Sequence, residues 1–425
     1  MTNPPLHTPG PTSDGMKRHN VLVLEKVTPF PPANAGDAVY SRGIIQSLAP
    51  YVNVTVLCAD GGGAVPQDDG ITWRVTAPQR RGQAGSVASR WPLLAWKGAT
   101  PDYHAELDRL LQMEWSAIVL DNLGTVHALP KVLGYRQSHP ETNLVYVSHE
   151  YEYEIRRGKY GAYGMGLAKR LAARLDLLKV RRSEMRLLRE LDLVTVINSN
   201  DLVPFRGIAP DQTYLTLTPG YDGPVAESRV IGPDVPRRVL LLGGRKSQQK
   251  RQILLDWMRV GYGPLTEAGI EIVIAGDMDA DLRTELTQTW PKAKVLGFVE
   301  DLGELIASAR IGLIADTVGG GFKLRLLSHV FQRLPIVGLA DAVDGLPTPE
   351  GRGYLVADDL EGLTRLVLET IDNTDRLDAL QAAAFNDCNA GFSWAARGEQ
   401  LAIALVRPHR NSYFTENQTG VGTEP

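Results

Sequence analysis

Residues 238–250 read RVLLLGGRKSQQK. Val239, Leu240, Leu241 and Leu242 are a short apolar run, the pattern of a strand buried on both faces of a parallel sheet. Gly243 and Gly244 end the strand and admit backbone angles that other residues resist. Arg245 and Lys250 follow, just ahead of the apolar-periodic segment 252–260. Ligands of open α/β sheets sit beyond the carboxyl ends of the strands. A strand, a glycine turn and two cations at a helix entrance therefore describe an anion site suited to phosphate. The plainer alternative is that Arg245, Lys246, Lys250 and Arg251 solvate a loop.

Outward from this stretch the same alternation repeats. Downstream strand candidates are 270–275, 294–296, 311–315, 335–339 and 354–356, with helical spacing over 281–289, 302–309, 323–332 and 360–371. Upstream candidates are 21–24, 52–58, 116–120, 144–147 and 193–197, the last taken as the final strand of its half. A helix of about three turns is expected from Gly36, with Asp37 as its N-cap. Strand–helix alternation in both halves implies an α/β protein of two doubly wound sheets. The expected layout is a disordered tail at 1–20, a first domain at 21–203, a Pro- and Gly-rich linker at 204–237, a second domain at 238–393, a final helix at 394–410 and a polar tail at 411–425. Residues 82–100, with Trp91 and Trp96, fit either a mobile loop or a packed surface segment.

The net charge of −4 over 425 residues argues against wholesale nucleic-acid binding. Cys58 and Cys388 are far apart and have no metal-ligand spacing, which fits a reducing compartment. No apolar run approaches the roughly 18 residues of a membrane span, and no apolar signal core precedes residue 20, so a cytoplasmic protein is expected. Within 156–189 there are eleven Lys or Arg and only Asp176 and Glu184 as acids. Leu167, Leu171, Leu175, Leu178, Met185 and Leu188 recur there at helical spacing. This basic amphipathic segment is either a solvated face or a dock for an anionic membrane surface, at which Trp91 and Trp96 would assist.

Several segments together resemble the GT-B glycosyltransferases, most closely the retaining family 4 (group 1) type. They are the proline stretch leading to Asn34-Ala35-Gly36-Asp37, SHEYEYEIRR after a central strand, MRLLRELDLVTVINSNDL followed by TPGYD, GGRKSQQK, LGFVEDLGELIASARIGLIAD and GGGFKLRLLSHVFQRLPIVG. The resemblance spans about residues 20–405. It implies two Rossmann-like domains facing across a cleft and transfer of a sugar from a nucleotide diphosphate sugar to a hydroxyl acceptor, with retention. The acceptor would be a glycan, a lipid-linked intermediate or a small molecule. No cofactor and no metal are implied, and the DMDAD stretch at 277–281 reads as a solvated turn and helix start.

On this resemblance Arg245, Lys250, Lys323, Gly36, Gly320 and Gly321 surround the donor diphosphate. Gly244, Gly276, Phe298 and Ser328 belong to the nucleotide side, and His149 and Asp37 are the catalytic candidates, with Asp121, Glu150 and Glu152 nearby. Lys323, read in the first turn of its helix, sits at the wrong end for a cation unless an anion lies beside it. Where relatives carry two glutamates eight positions apart, this chain has Gly320 and Ser328. A serine holds a ribose hydroxyl without charge assistance. That departure keeps open a non-catalytic scaffold or nucleotide-sugar sensor, and a nucleotide-sugar epimerase on the same fold is the other alternative.

Overall fold

The computed structural model describes residues 18–33, 35–161, 166–317 and 322–406. The first sheet contains β1 (Asn20–Val27), β2 (Asn53–Ala59), β3 (Ile71–Thr76), β4 (Ala117–Asp121), β5 (Asn143–Val147), β6 (Leu193–Val196) and β7 (Tyr214–Thr216), in the order β3-β2-β1-β4-β5-β6-β7. The second contains β8 (Arg238–Leu242), β9 (Glu271–Ala275), β10 (Lys294–Gly297), β11 (Ile311–Ile314), β12 (Ile336–Leu339) and β13 (Tyr354–Ala357), in the order β10-β9-β8-β11-β12-β13. Neighbouring strands pair in parallel throughout. Two doubly wound sheets are therefore present, as the alternation predicts. Each reverses its winding once, between β1 and β4 and between β8 and β11, and a ligand crevice opens at such a reversal.

The apolar run of β8 behaves as its composition demands, with Val239 and Leu240 fully buried. Helices cover both faces of each sheet, so one large core and one smaller core form in the second domain and two in the first.

Two strands escape the sequence pattern. β3 reads ITWRVT with a half-exposed edge, and β7 reads YLT, too short to register as a run. β7 pairs with β6, so the first sheet continues past residue 203 into the expected linker, and 193–197 is not its last strand. A helix over Leu202–Ile208 also lies there.

The basic segment is two helices, Glu152–Gly161 and Leu167–Glu190, rather than one. Residues 82–100 form short helices at Ala84–Ala88 and Leu93–Gly98 that pack on the second of these. Lys179 donates to the Ser86 and Val87 carbonyls at 2.7 and 2.9 Å, and the Leu93 amide donates to Asp176 at 2.6 Å. Trp91 packs against the first domain's core, while Trp96 sits over Gly85 and under the Arg80 guanidinium. The two indoles are part of the fold and not a projecting aromatic pair.

The final helix, Trp394–Val406, returns to the first domain and lies along the helix Gly36–Leu48. Leu401 and Leu405 join the first domain's core, and the Leu405 carbonyl accepts from Asn143 Nδ2 at 2.6 Å. Residues 407–410 of the expected helix, the tail at 411–425 and residues 1–17 lie outside the described residues. Among the described residues no helix is long and apolar enough to cross a membrane.

Candidate functional site

A cleft of about 800 Å³ lies between the carboxyl ends of the two sheets. Its first-domain wall includes Lys26, Gly36, Asp37, Tyr40, His149 and Glu150. Its second-domain wall includes Gly243, Lys250, Asp316, Lys323, Arg325 and Ser328. The two walls approach closely at Gly36, where an added Cβ would stand 3.8 Å from Leu324 Cδ1.

The second wall is built on the turn after β8. Gly243 has φ 119°, and a Cβ at Gly276, itself at φ 144°, would strike the Gly243 carbonyl. Two glycines are thus required for the β8 and β9 ends to lie together. Ser247 caps the helix Gln248–Glu267 by accepting from the Lys250 amide, which sets Lys250 in the first turn at the cleft. Lys323 does not lie in a helical turn as expected. The short helix starts at Arg325, which pairs with Asp316. A turn over Lys323 and Leu324 leads into the helix and brings Lys323 and Arg325 to the same wall. Arg325 is a cation that the sequence reading did not single out, although it stands two positions after Lys323; its pairing depends on where β11 ends.

These charges crowd one another. Burial pulls the Lys250 ammonium down from the usual lysine range, and Arg325 and Arg245 pull it further. Burial lowers Arg245 to about 10, with Arg325 adding to the effect. Asp316 is the counter-charge facing both. Around the turn after β8 the cations Lys250, Arg245 and Arg325 bear on one another, with Asp316 as this wall's one carboxylate, among the described residues, that bears on them, so that patch is short of an anion, although Glu300 and Asp301 also line the cleft.

Arg245 itself is buried behind this wall. It donates to the Gly243 carbonyl at 2.7 Å and to those of Gly244 and Leu242 at 3.3 and 3.4 Å, so it braces the turn. Gly244, Gly276 and Phe298 are not among the described residues lining the cleft. Phe298 is 74% exposed, whereas the neighbouring 300–303 loop does line it. Ser328 lines the cleft with its hydroxyl beside Tyr221. Gly320 and Gly321 lie outside the described residues.

In the first wall, Asp37 is not the N-cap. Ala35 holds that position, and Asp37 stands in the first turn paired with Lys26. Burial pushes the Asp37 carboxyl up, but Lys26 outweighs it and holds it below the usual carboxylate range. His149 Nε2 lies 2.6 Å from Asp121 Oδ1, and Tyr40 meets the imidazole edge to face at 5.1 Å. Glu150 is raised to about 7 by burial and then by Glu152, with Lys159 opposing at 3.9 Å. Lys26 is the residue sequence reasoning missed here, since only the approach of β1's end to the helix Gly36–Leu48 reveals it. Asp277 of the acidic stretch pairs with Lys246 at 2.5 Å, and Asp279 precedes the helix Ala280–Thr289.

No family model matches the chain. A mannosyltransferase of Corynebacterium glutamicum, named as a GDP-mannose-dependent monoacylated alpha-(1-6)-phosphatidylinositol monomannoside mannosyltransferase, is 30% identical over 148 residues, 33% of this chain. The match spans 39% of that relative's length. Sucrose-phosphate synthase from Thermosynechococcus elongatus superposes with a TM-score of 0.67 at 15% identity, over 91% of this chain and 98% of that one. Anabaena HepE, solved with UDP and glucose, gives 0.60 at 15% identity over 91% and 99%. WaaG, a glycosyltransferase of lipopolysaccharide biosynthesis, gives 0.60 at 14% identity over the same shares. Two parallel sheets facing each other across a cleft superpose on these structures over nearly their whole lengths, so the chain has the GT-B fold.

Proposed function

We propose that this chain is a glycosyltransferase that moves a sugar from a nucleotide diphosphate sugar to a hydroxyl acceptor, with retention and without a metal. The observation that carries the reading is the pair of cations Lys250 and Arg325 that bear on each other at the turn after β8, with Lys323 also on the cleft lining. As the bond from the anomeric carbon to the diphosphate oxygen breaks, negative charge grows on the diphosphate. Fixed cations in a partly desolvated cleft stabilise that charge, which is the largest catalytic need of the step. The acceptor oxygen then bonds the anomeric carbon. Asp37, held ionised by Lys26, is a weak base, so it orients the acceptor hydroxyl, and the departing diphosphate oxygen takes the proton. His149 binds the transferred sugar. Ser328 with Tyr221 faces the ribose, supported by the Ser328 hydroxyl at the cleft.

The name of the 30% identical relative supports a GDP sugar and a lipid-bearing acceptor as the first pair to test. Incubating the protein with a nucleotide-sugar panel and hydroxyl acceptors, with chelator present, is expected to release a nucleoside diphosphate and a glycosylated product of retained configuration. An epimerised donor without transfer, or binding without turnover, would replace this reading by the epimerase or the sensor. Ser328, standing where relatives carry a glutamate, is the observation that favours the sensor.

The finer proposal concerns location. On the helix Leu167–Glu190, Leu167, Leu171 and Leu178 are 83, 61 and 64% exposed, and Leu175 also projects. They stand at spacings of three and four residues, so they share one face. Arg170, Arg174, Arg181 and Arg182 flank that face. Exposed leucines ringed by arginines fit an anionic bilayer, at about 1 kcal/mol per basic residue near the surface. The protein is expected to float with vesicles rich in phosphatidylglycerol and to stay behind with neutral ones. A triple change of Leu167, Leu171 and Leu178 to Asp is expected to abolish flotation. Equal recovery from both vesicle types would remove the membrane from the account.

A further inference from the structure

Glu25 lies in β1 near its carboxyl end, Asp121 closes β4 and His149 follows β5. These are three adjacent parallel strands, so one edge of the sheet carries the three side chains side by side. Glu25 and Asp121 are each 1% exposed and His149 is 8% exposed. His149 Nε2 meets Asp121 Oδ1 at 2.6 Å. Behind that contact the Glu25 and Asp121 carboxyls face each other, and each keeps one buried oxygen, Oε2 and Oδ2, to which no donor is bonded. His149 Nδ1 is likewise buried without a partner. The other groups facing this array are the Ser41 hydroxyl, the Tyr40 ring, the Lys26–Asp37 pair and Glu150.

Two carboxylates in contact in a buried site do not both ionise. Burial first, and Asp121 second, push Glu25 far above the usual carboxyl range. Asp121 is held below it by His149 despite its own burial. The shared proton therefore belongs to Glu25. A carboxylate only accepts hydrogen bonds, so Asp121 requires a proton on Nε2 of His149.

We propose that Glu25 is a positioning residue: as a neutral acid it donates a hydrogen bond to Asp121, which holds the Nε2–H tautomer of His149 and fixes the imidazole at the cleft wall. This array deepens the transferase reading of the cleft and rests on it for its catalytic consequence. Its protonation does not rest on that reading.

The test compares the full chain with Glu25→Gln, Glu25→Leu and Asp121→Asn. Infrared difference spectra, parent minus Glu25→Gln at pH 8, are expected to show a protonated-carboxyl stretch, the contributions of Glu150 and Glu184 being common to both proteins. Imidazole 15N spectra are expected to show His149 as the Nε2–H tautomer in the parent and in Glu25→Gln, and a mixture in Asp121→Asn. For turnover, Glu25→Gln keeps a neutral donor and is expected within about threefold of the parent. Glu25→Leu and Asp121→Asn are expected to lose about ten- to a hundredfold in kcat with the donor KM little changed. Absence of the carboxyl stretch, or a Glu25→Gln loss as large as that of Glu25→Leu, would overturn the proposal. Should Glu25→Leu fail to fold, the infrared and 15N comparisons of the parent with Glu25→Gln decide alone. A parent that transfers no sugar would sink the transferase reading and leave those spectra standing.

Discussion

Lys323→Ala lowers kcat by about two to three orders of magnitude, while the melting temperature and the donor KM change little. The magnitude is that of removing one fixed group aimed at a developing oxyanion, about 2.7–4 kcal/mol. Lys323 reaches the cleft just ahead of the short helix at Arg325, on the wall shared with Lys250. Its positive charge matters most once the sugar–oxygen bond lengthens and the diphosphate gains charge, so kcat is affected more than binding. Lys323→Arg keeps the charge but changes its reach and geometry, and an intermediate rate is expected. Steady-state kinetics on the two variants, with melting curves as the fold control, check both statements. Arg245 is a useful contrast. Its guanidinium is occupied by the carbonyls of Leu242, Gly243 and Gly244, so its contribution is to the shape of the turn that aims the other cations.

Gly398→Val destabilises the protein by about 2–3 kcal/mol, which lowers the melting temperature by roughly 5–10 °C. Gly398 lies where the final helix crosses Gly36–Leu48, and a Cβ there would strike the Ser47 carbonyl and side chain. Neither backbone can give way easily, because Leu401 and Leu405 anchor the final helix in the first domain's core. Arg397, next in sequence, donates to Thr218 Oγ1 at 3.0 Å and ties the same helix to the segment joining the domains. Trp394 packs where a Cβ on Gly43 or Gly220 would stand. The crossing is therefore a set of close contacts through small residues, and a branched side chain separates the helices. Differential scanning calorimetry of the variant measures the loss, and a shift below about 1 °C would contradict this description of the crossing.

The second sheet was legible nearly in full, because its strands are short, wholly apolar runs between helices of clear periodicity. β3 and β7 were not legible: an edge strand such as ITWRVT mixes exposed polar and aromatic positions, and three residues carry no period. At the site, Lys250, Lys323, His149 and Asp37 come to one cleft, the grouping that the family resemblance implied. What the sequence could not show is which side chain each of these meets. Lys26 meets Asp37 across the loop after β1, Arg325 meets Asp316 across the loop after β11, and Glu25 faces Asp121 only because β4 lies beside β1. The direction of Arg245 was equally hidden. A guanidinium after a Gly-Gly turn reaches a ligand or its own carbonyls with the same local sequence.

The cationic wall is expected to bind a nucleoside diphosphate. Thermal unfolding with UDP, GDP, ADP and their sugars, in chelator, tests it most directly on the parent and on Lys323→Ala. A ligand at a hundred times its dissociation constant adds about 2.7 kcal/mol. A saturable rise in melting temperature with one nucleotide base is expected, unchanged by chelator; in Lys323→Ala the rise is much reduced for the free nucleoside diphosphate, which carries the leaving group's full charge, and little changed for its sugar. No rise with any nucleotide, or an equal rise with the free diphosphate in parent and variant, would contradict this.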